Sequence, residues 1–393
     1  MNRVYLSSLS QATSLGDNLV DFWDMLVSAQ SGARSINEID DIDFSSIPIQ
    51  FCHTLRSNRL VLPPRNENQV YLENVLLLEQ LLGDLQVTGP IDGVIWGNGQ
   101  VGLPSHLAVP NVDSTSISAR EWQSAVQRGL QKATGQTLSP SQIIGLAVTC
   151  NTGIAALGMA AQRISQGLWK RAIVVVQEIR CRDRVLLPYY KLNLLSHGRT
   201  HPFSKNRDGF EKGEGGCAFL LESTGALNES KGDPYCRISG YSVSSEHEHV
   251  FESNPDSIAT AAATIKSAIR HAQLETTDID YINLYGSGSI KNDRMECRLV
   301  KATFGDRYRS IPASSLKPYF GHLNHAASAI ETTATAMMIK NQCAVSNLGL
   351  KSPDGECDLF LPTDKVNTFP IRHALKVSFG FGWSNAALVL SHI

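Results

Sequence analysis

Apolar positions in this chain recur with two periods. IIGLAVT (143–149) is a short, β-branched apolar run of strand length. A Gly/Ala-rich helical stretch follows over roughly 151–167, and RAIVVVQEI (171–179) then reads as a buried strand. The unit predicts a parallel strand pair joined by a right-handed crossover. The same grammar returns downstream. YINL (281–284) reads as a strand, and 291–304 as a helix with Met295, Leu299 and Val300 towards one face. A short strand near 311–315 leads into a helix from about 323 to 341. ALKVSFG (374–380) and AALVLS (386–391) close the chain as strands around a tight turn.

The two passages echo each other. In each, a polar elbow opens a long, small-residue helix: TCNTGIAALGMAAQRISQG (149–167) and GHLNHAASAIETTATAMMIKNQ (321–342). Small-residue helices suit close packing at the centre of layered α/β architecture. Segments 31–66, 99–120 and 183–209 are the least regular and read as loops and cap insertions. No Gly/Ser or Pro tract cuts the chain into independent domains, so the expected organisation is two similar halves, 1–230 and 231–393.

Composition narrows the function classes. The chain has 393 residues, 42% of them apolar, enough for a large core. Its 35 Lys+Arg against 37 Asp+Glu give no basic field for nucleic acid or an anionic membrane. The N-terminal stretch is too polar for a secretory core, and no apolar run reaches membrane-spanning length. The expectation is a soluble, cytoplasmic protein. Its eight cysteines form no CxxC pair and complete no zinc pattern, so no metal is expected.

One cysteine stands apart by position. Cys150 falls between an apolar strand and a helix, where unpaired N–H groups and the helix dipole favour a thiolate. A thiolate there is the competent nucleophile for a thioester, and nearby backbone N–H groups can form an oxyanion hole. The alternative is a small buried hydrophobe, the usual fate of free cysteine.

Five ordered blocks bear on that choice. VTCNTG (148–153) resembles the cysteine elbow of β-ketoacyl synthases, and HPFSKNRDGFEKGEGG (201–216) the segment that follows it. YGSGSIKNDRMECRLV (285–300) resembles the family's His-Gly-Thr segment, with Asp293 and Glu296 at matching spacing. SSLKPYFGHLNHAASAIE (314–331) resembles its Lys…Gly-His segment, and SFGFGWSN (378–385) its Phe-Gly-Phe-Gly-Gly-Thr-Asn turn. VDFWDMLVSAQSG (20–32) is similar to its opening helix.

The resemblance implies a five-layered α-β-α-β-α thiolase fold, usually dimeric. It also implies ping-pong acyl chemistry with acyl carrier protein or coenzyme A. An acyl group passes to the cysteine, and a decarboxylated malonyl thioester then attacks it. No cofactor is implied beyond the carrier's phosphopantetheine arm. Carried over by position, Cys150 is the nucleophile and His322 the second of two family histidines. Lys317 is the family lysine, with Glu331 as the acid that organises lysine and histidine. Phe381 is the gate, its N–H completing the oxyanion hole with that of Cys150. Ser287 and Ser289 fall at pantetheine-contacting positions. Asp293 and Glu296 are expected to cap or brace the 291–304 helix, and Arg207–Asp208 to fix a loop.

The departures cluster. Tyr285 replaces the first histidine. Trp383 replaces a glycine of the closing turn, and His325 and Ser328 replace glycines after Gly-His, which should narrow or reshape the pocket. His325 is expected to pack as a satisfied core histidine. Two readings follow: a ketosynthase-type acyltransferase with impaired or altered condensation, or a chain-length-factor-like partner in a heterodimer with an active ketosynthase. The retained thiol favours the first; Tyr285 and Trp383 favour the second.

Overall fold

The computed structural model describes residues 2–39, 47–56, 59, 70–99, 119–178, 183–246, 257–382 and 384–393. Ten strands form one continuous sheet. In the first half they are β1 (Val4–Ala12), β2 (Gly93–Gly97), β3 (Ile143–Leu146), β4 (Arg171–Glu178) and β5 (Gly215–Ser223). In the second they are β6 (Cys236–Ser245), β7 (Tyr281–Asn283), β8 (Ala313–Ser314), β9 (His373–Gly380) and β10 (Ser384–Ser391). The order across the sheet is β8-β7-β9-β10-β6-β1-β5-β4-β2-β3. Reading outwards from the centre, β1-β5-β4-β2-β3 and β6-β10-β9-β7-β8 are the same topology written twice. The halves meet where Val4–Leu6 pair antiparallel with Cys236–Ile238.

Three helices of each half repeat as well: α1 (Val70–Gly83), α2 (Ala119–Thr134) and α3 (Thr152–Ser165) in the first, and α4 (Ser257–His271), α5 (Ile290–Phe304) and α6 (Ala327–Asn341) in the second. The strands alternate faces with period two, and this sorts the core into layers. In β4, Ala172, Val174 and Val176 join the central cluster with α3 and α6, while Ile173 and Val175 face α1 and α2. In β10, Ala386, Leu388 and Leu390 face the same centre, while Ala387 and Val389 face α4 and α5. The result is the helix–sheet–helix–sheet–helix stack of the thiolase fold. α6 is buried on every side from Ala327 to Ile339, as its lack of a polar stripe predicts. Its neighbour α3 comes so close at Gly153 that an added Cβ would lie 2.4 Å from the Ala329 backbone nitrogen.

The strand–helix–strand unit around Cys150 lies where the pattern places it, with ends trimmed to 143–146, 152–165 and 171–178. One segment differs. Within 183–209, read as irregular, Asp183–Lys191 is a helix with Pro188 inside it. An internal proline argues against helix from sequence, yet Leu186 of this helix is buried in a small satellite core with Phe210 and Leu195. Trp383 lies outside the described residues, as do 40–46, 57–58, 60–66 and 100–118 of the segments read as loops.

Candidate active site

β3 delivers the chain to a tight elbow. Thr149 takes φ 46°, a costly conformation for a β-branched residue, and α3 begins at Thr152. The elbow is pinned from several sides. Asn151 Nδ2 donates to the carbonyl and hydroxyl of Ser384 at 2.8 and 2.9 Å. Ser328 and Ser378 hydroxyls both donate to the Cys150 carbonyl, at 2.7 and 3.3 Å. Gly380 has no room for a side chain, since a Cβ there would sit 2.0 Å from Thr149 Oγ1.

Around the Cys150 sulfur, side chains from the second half converge. His322 Nε2 lies 3.6 Å from Sγ and 2.9 Å from Tyr285 Oη, and Tyr285 Oη lies 3.7 Å from Sγ. The other imidazole nitrogen, Nδ1, accepts the backbone N–H of Asn324 at 3.0 Å. Burial first, then the charges of Lys317, Lys212 and Lys376, hold the imidazole pKa well below its usual value. His322 is therefore neutral, and with Nδ1 accepting, its one proton is on Nε2. Nε2–H points at the phenol oxygen, and the phenol hydroxyl is left to donate to the sulfur.

The helix N-terminus does not make Cys150 a resting thiolate. Burial pushes its thiol up to about 11, and the pull of the Tyr285 hydrogen bond and of Lys317 offsets only part of that. Desolvation is the largest influence because the sulfur is almost wholly buried. Burial likewise raises the Tyr285 phenol well above its ordinary value, so both groups are protonated near neutrality.

Beneath the triad lies a buried charge cluster. Lys317 Nζ is 2.7 Å from Glu331 Oε1, donates to the Tyr285 carbonyl at 2.6 Å, and sits 4.1 Å from the centre of the Tyr285 ring. Lys376 takes the other carboxylate oxygen, Oε2, at 2.7 Å. Glu296 accepts the backbone N–H groups of Tyr285 and Gly286 at 2.7 and 2.8 Å. Asp293 accepts from Phe203 and Gly288 and pairs with Arg207 at 3.2 Å. The two acids thus fix the 285–288 loop rather than the axis of their own helix. Burial, the largest influence on each, raises Asp293 to about 6 and Glu296 to about 7. Arg207 extends the bracing to Asp354 at 2.8 Å, while Asp208 turns away to accept from Ser196 and His197.

A cavity of about 220 Å³ leads to the sulfur, lined by Cys150, Tyr285 and His322 at its inner end. Ser287, Ser289 and Phe381 line it as well. Phe381 is 40% exposed and stacks on Tyr189, whose hydroxyl accepts from Asn324. His325 is not on this wall: its Nδ1 lies 3.0 Å from Glu178. Ser328 is likewise spent on the elbow. Neither replacement narrows this cavity.

Sequence reasoning missed Lys376, Tyr189, Asn324 and Phe210, whose ring packs 4.8 Å from that of His322. Lys376 alone left a signal: one charge inside the apolar run ALKVSFG.

Comparison with known proteins shows the family of the chain. Residues 144–226 match the β-ketoacyl synthase N-terminal domain and residues 235–351 its C-terminal domain. The chain belongs to the β-ketoacyl synthase family. It is 26% identical over 415 residues to "3-oxoacyl-[acyl-carrier-protein] synthase 2" of Coxiella burnetii, spanning 100% of this chain and 99% of that protein. It is 31% identical over 252 residues to the "Tetracenomycin polyketide synthase ketoacyl synthase alpha subunit" of Streptomyces glaucescens, covering 62% of this chain and 58% of the relative. Two solved structures share the fold over 100% of this chain. One is the ishigamide ketosynthase/chain length factor, with TM-score 0.84, 20% identity and 99% of that chain covered. The other is a type II polyketide acyl-carrier protein in complex with its ketosynthase, with TM-score 0.82, 24% identity and 100% of that chain covered. No helix among the described residues is long and apolar enough to cross a membrane.

Proposed function

We propose that this protein is a ketosynthase-type acyltransferase of fatty-acid or polyketide assembly. It accepts an acyl group on Cys150 from acyl carrier protein and condenses it poorly, or in altered form, with a malonyl thioester. The observation that carries the reading is the position of Tyr285 Oη, 2.9 Å from His322 Nε2 and 3.7 Å from Cys150 Sγ. The first half-reaction needs the sulfur, a cavity and an oxyanion hole. Sγ attacks the carrier thioester, the new S–C bond forms, and the departing pantetheine sulfur takes up the thiol proton. Backbone N–H groups of Cys150 and Phe381 hold the thioester oxygen, and Ser287 and Ser289 contact the pantetheine arm. The charge of Lys317 helps keep His322 neutral, and Lys317, held by Glu331, keeps Tyr285 in place through its carbonyl.

The second half-reaction asks more of the site. Decarboxylation of malonyl thioester puts charge on its oxygen, and two N–H donors normally receive it. Here the only imidazole donor is already turned to the phenol, which must be displaced or must itself donate. A phenol with a raised pKa is a weaker donor to an enolate than a second imidazole N–H.

A second reading has support of its own. The chain's likeness to the ishigamide ketosynthase/chain length factor fits a weakly catalytic partner in a heterodimer, with residues 1–230 and 231–393 as its two halves. In either reading the protein is cytoplasmic, works as a dimer and needs no cofactor beyond the carrier's arm. The test is acylation with acyl-loaded carrier, alone and with a co-expressed second ketosynthase, followed by peptide mass spectrometry and CO2 release from malonyl-carrier. Acyl label on Cys150 with slow CO2 release is expected. No label on Cys150 in either setting would exclude the acyltransferase reading.

A further inference from the structure

Lys376 enters the account above only as one of three charges that hold His322 neutral. It is fully buried on β9, on the face that also carries Ala374 and Ser378, and burial of an ammonium is costly unless it is paired. Its partner is Glu331, which Lys317 already holds from the other side. One carboxylate therefore serves two lysines on opposite oxygens. Glu296 on α5 also faces Lys376, and above lie Tyr285, His322 and Cys150, on which Lys212 and Glu178 act as well.

We infer that Lys376 is a positioning residue for the thiol site: by occupying the second oxygen of Glu331, it leaves the charge of Lys317 free to act on the Tyr285–His322–Cys150 face. The inference rests on Cys150 being the acyl-accepting thiol. With Lys317 alone, Glu331 and Lys317 cancel and the face above them sees little net charge. With Lys376 present, the same carboxylate is neutralised from behind. Both members of the front pair reach the sulfur: Lys317 draws its pKa down and Glu331 pushes it up. Lys376 also adds to the positive field that keeps His322 neutral. Burial, the main influence on Lys376, lowers it to about 8, so it is still largely charged at neutral pH.

The test follows the rate of Cys150 alkylation by iodoacetamide against pH, read by peptide mass spectrometry so that other cysteines do not contribute. Below the thiol pKa this rate tracks the thiolate fraction, tenfold for each unit. Lys376→Met is expected to slow Cys150 alkylation at pH 7, where Lys376 is still charged, by roughly threefold to tenfold and to shift the lower part of the profile to higher pH. Glu331→Gln, which keeps both lysines, is expected to accelerate it by a similar factor. The double variant Lys376→Met/Glu331→Gln removes one charge of each sign and is expected to return close to wild type. A purely structural lysine predicts otherwise: lower thermal stability, an unmoved profile and no recovery in the double variant. Should Lys376→Met fail to fold, the other two variants still decide the matter. Unchanged or slower alkylation in Glu331→Gln, or a double variant slower than wild type, overturns the inference. Acyl loading of wild-type Cys150 separates this from the parent reading: a thiol that loads normally, with all profiles superimposed, sinks only the role of Lys376.

Discussion

Restoring a histidine at position 285 tests the central feature of the site. The backbone there is held independently of the side chain: Glu296 accepts the Tyr285 N–H and Lys317 donates to its carbonyl. Tyr285→His therefore keeps the loop and exchanges a phenol for a shorter imidazole. Two changes follow. His322 Nε2–H, released from the phenol oxygen 2.9 Å away, points into the cavity, and a second N–H donor stands beside it. Lys317, close against the ring face, disfavours protonation of the new imidazole and keeps it in the neutral donor form. One well-placed oxyanion donor is worth about 3–4 kcal/mol, or roughly 10²–10³ in rate. CO2 release from malonyl-carrier should rise towards that factor in Tyr285→His, measured at matched acylation of Cys150. Acyl loading itself should change by less than about tenfold, because it draws on the backbone N–H groups rather than on position 285. Rapid decarboxylation by wild type that falls in the variant would refute the reasoning and make the phenol the working donor.

Other outcomes follow from the geometry. Cys150 should be the most readily alkylated cysteine through the cavity, with a rate that climbs with pH towards about 11; mass spectrometry that finds label only elsewhere would contradict the nucleophile assignment. Ser328→Gly removes a buried donor 2.7 Å from the Cys150 carbonyl and should cost about 1 kcal/mol in denaturant unfolding. It should leave the cavity unchanged, with Ser378 still bonded to the same oxygen. Glu296→Gln places an amide against two backbone N–H groups where one carboxylate accepted both, and should cost about 2 kcal/mol at pH 8. That difference should widen as pH falls below about 7, because burial raises the native glutamate to about 7 and the folded protein then gains stability by taking up a proton, which the glutamine variant does not do. Light scattering should give a dimer, alone or with a second ketosynthase; a well-behaved monomer in both cases would argue against either functional reading.

The α/β layering was legible because its signals are local and repeated, while the five-layered stack was implied by the family resemblance. Two apolar strands flanking two small-residue helices have few other ways to pack, and the elbow at Cys150 needs only a strand end beside a helix start. The relation of Cys150 to His322 and Tyr285 was legible only through motif order, since residues 135 and 172 positions apart meet through sheet topology. What sequence did not convey is the sum of opposing influences. A helix N-terminus argues for a thiolate, and enclosure of the sulfur reverses the outcome. The direction of Asp293 and Glu296 towards the 285–288 loop depends on side-chain placement that helical spacing does not specify. Lys376 could be noticed but not explained until the far oxygen of Glu331 was located. The helix at Asp183–Lys191 was hidden by a single proline whose missing N–H the surrounding packing tolerates.

The seam between the halves has a mechanical meaning. Cys150 hangs from the first half, while Tyr285, Lys317 and His322 hang from the second, and the sheet is continuous between them through only three rungs, Val4–Leu6 against Cys236–Ile238. The gap from sulfur to imidazole is thus a gauge of how the two units are docked. A pivot about those rungs has to deform the core that α3 and α6 share, and it is felt at the sulfur, where a shift of about half an ångström separates a hydrogen bond from none. The serine and asparagine ties from Ser328, Ser378 and Asn151 cross the same divide close to the sulfur. They act as struts at the far end of a lever, holding still the one place where a small pivot would be felt most.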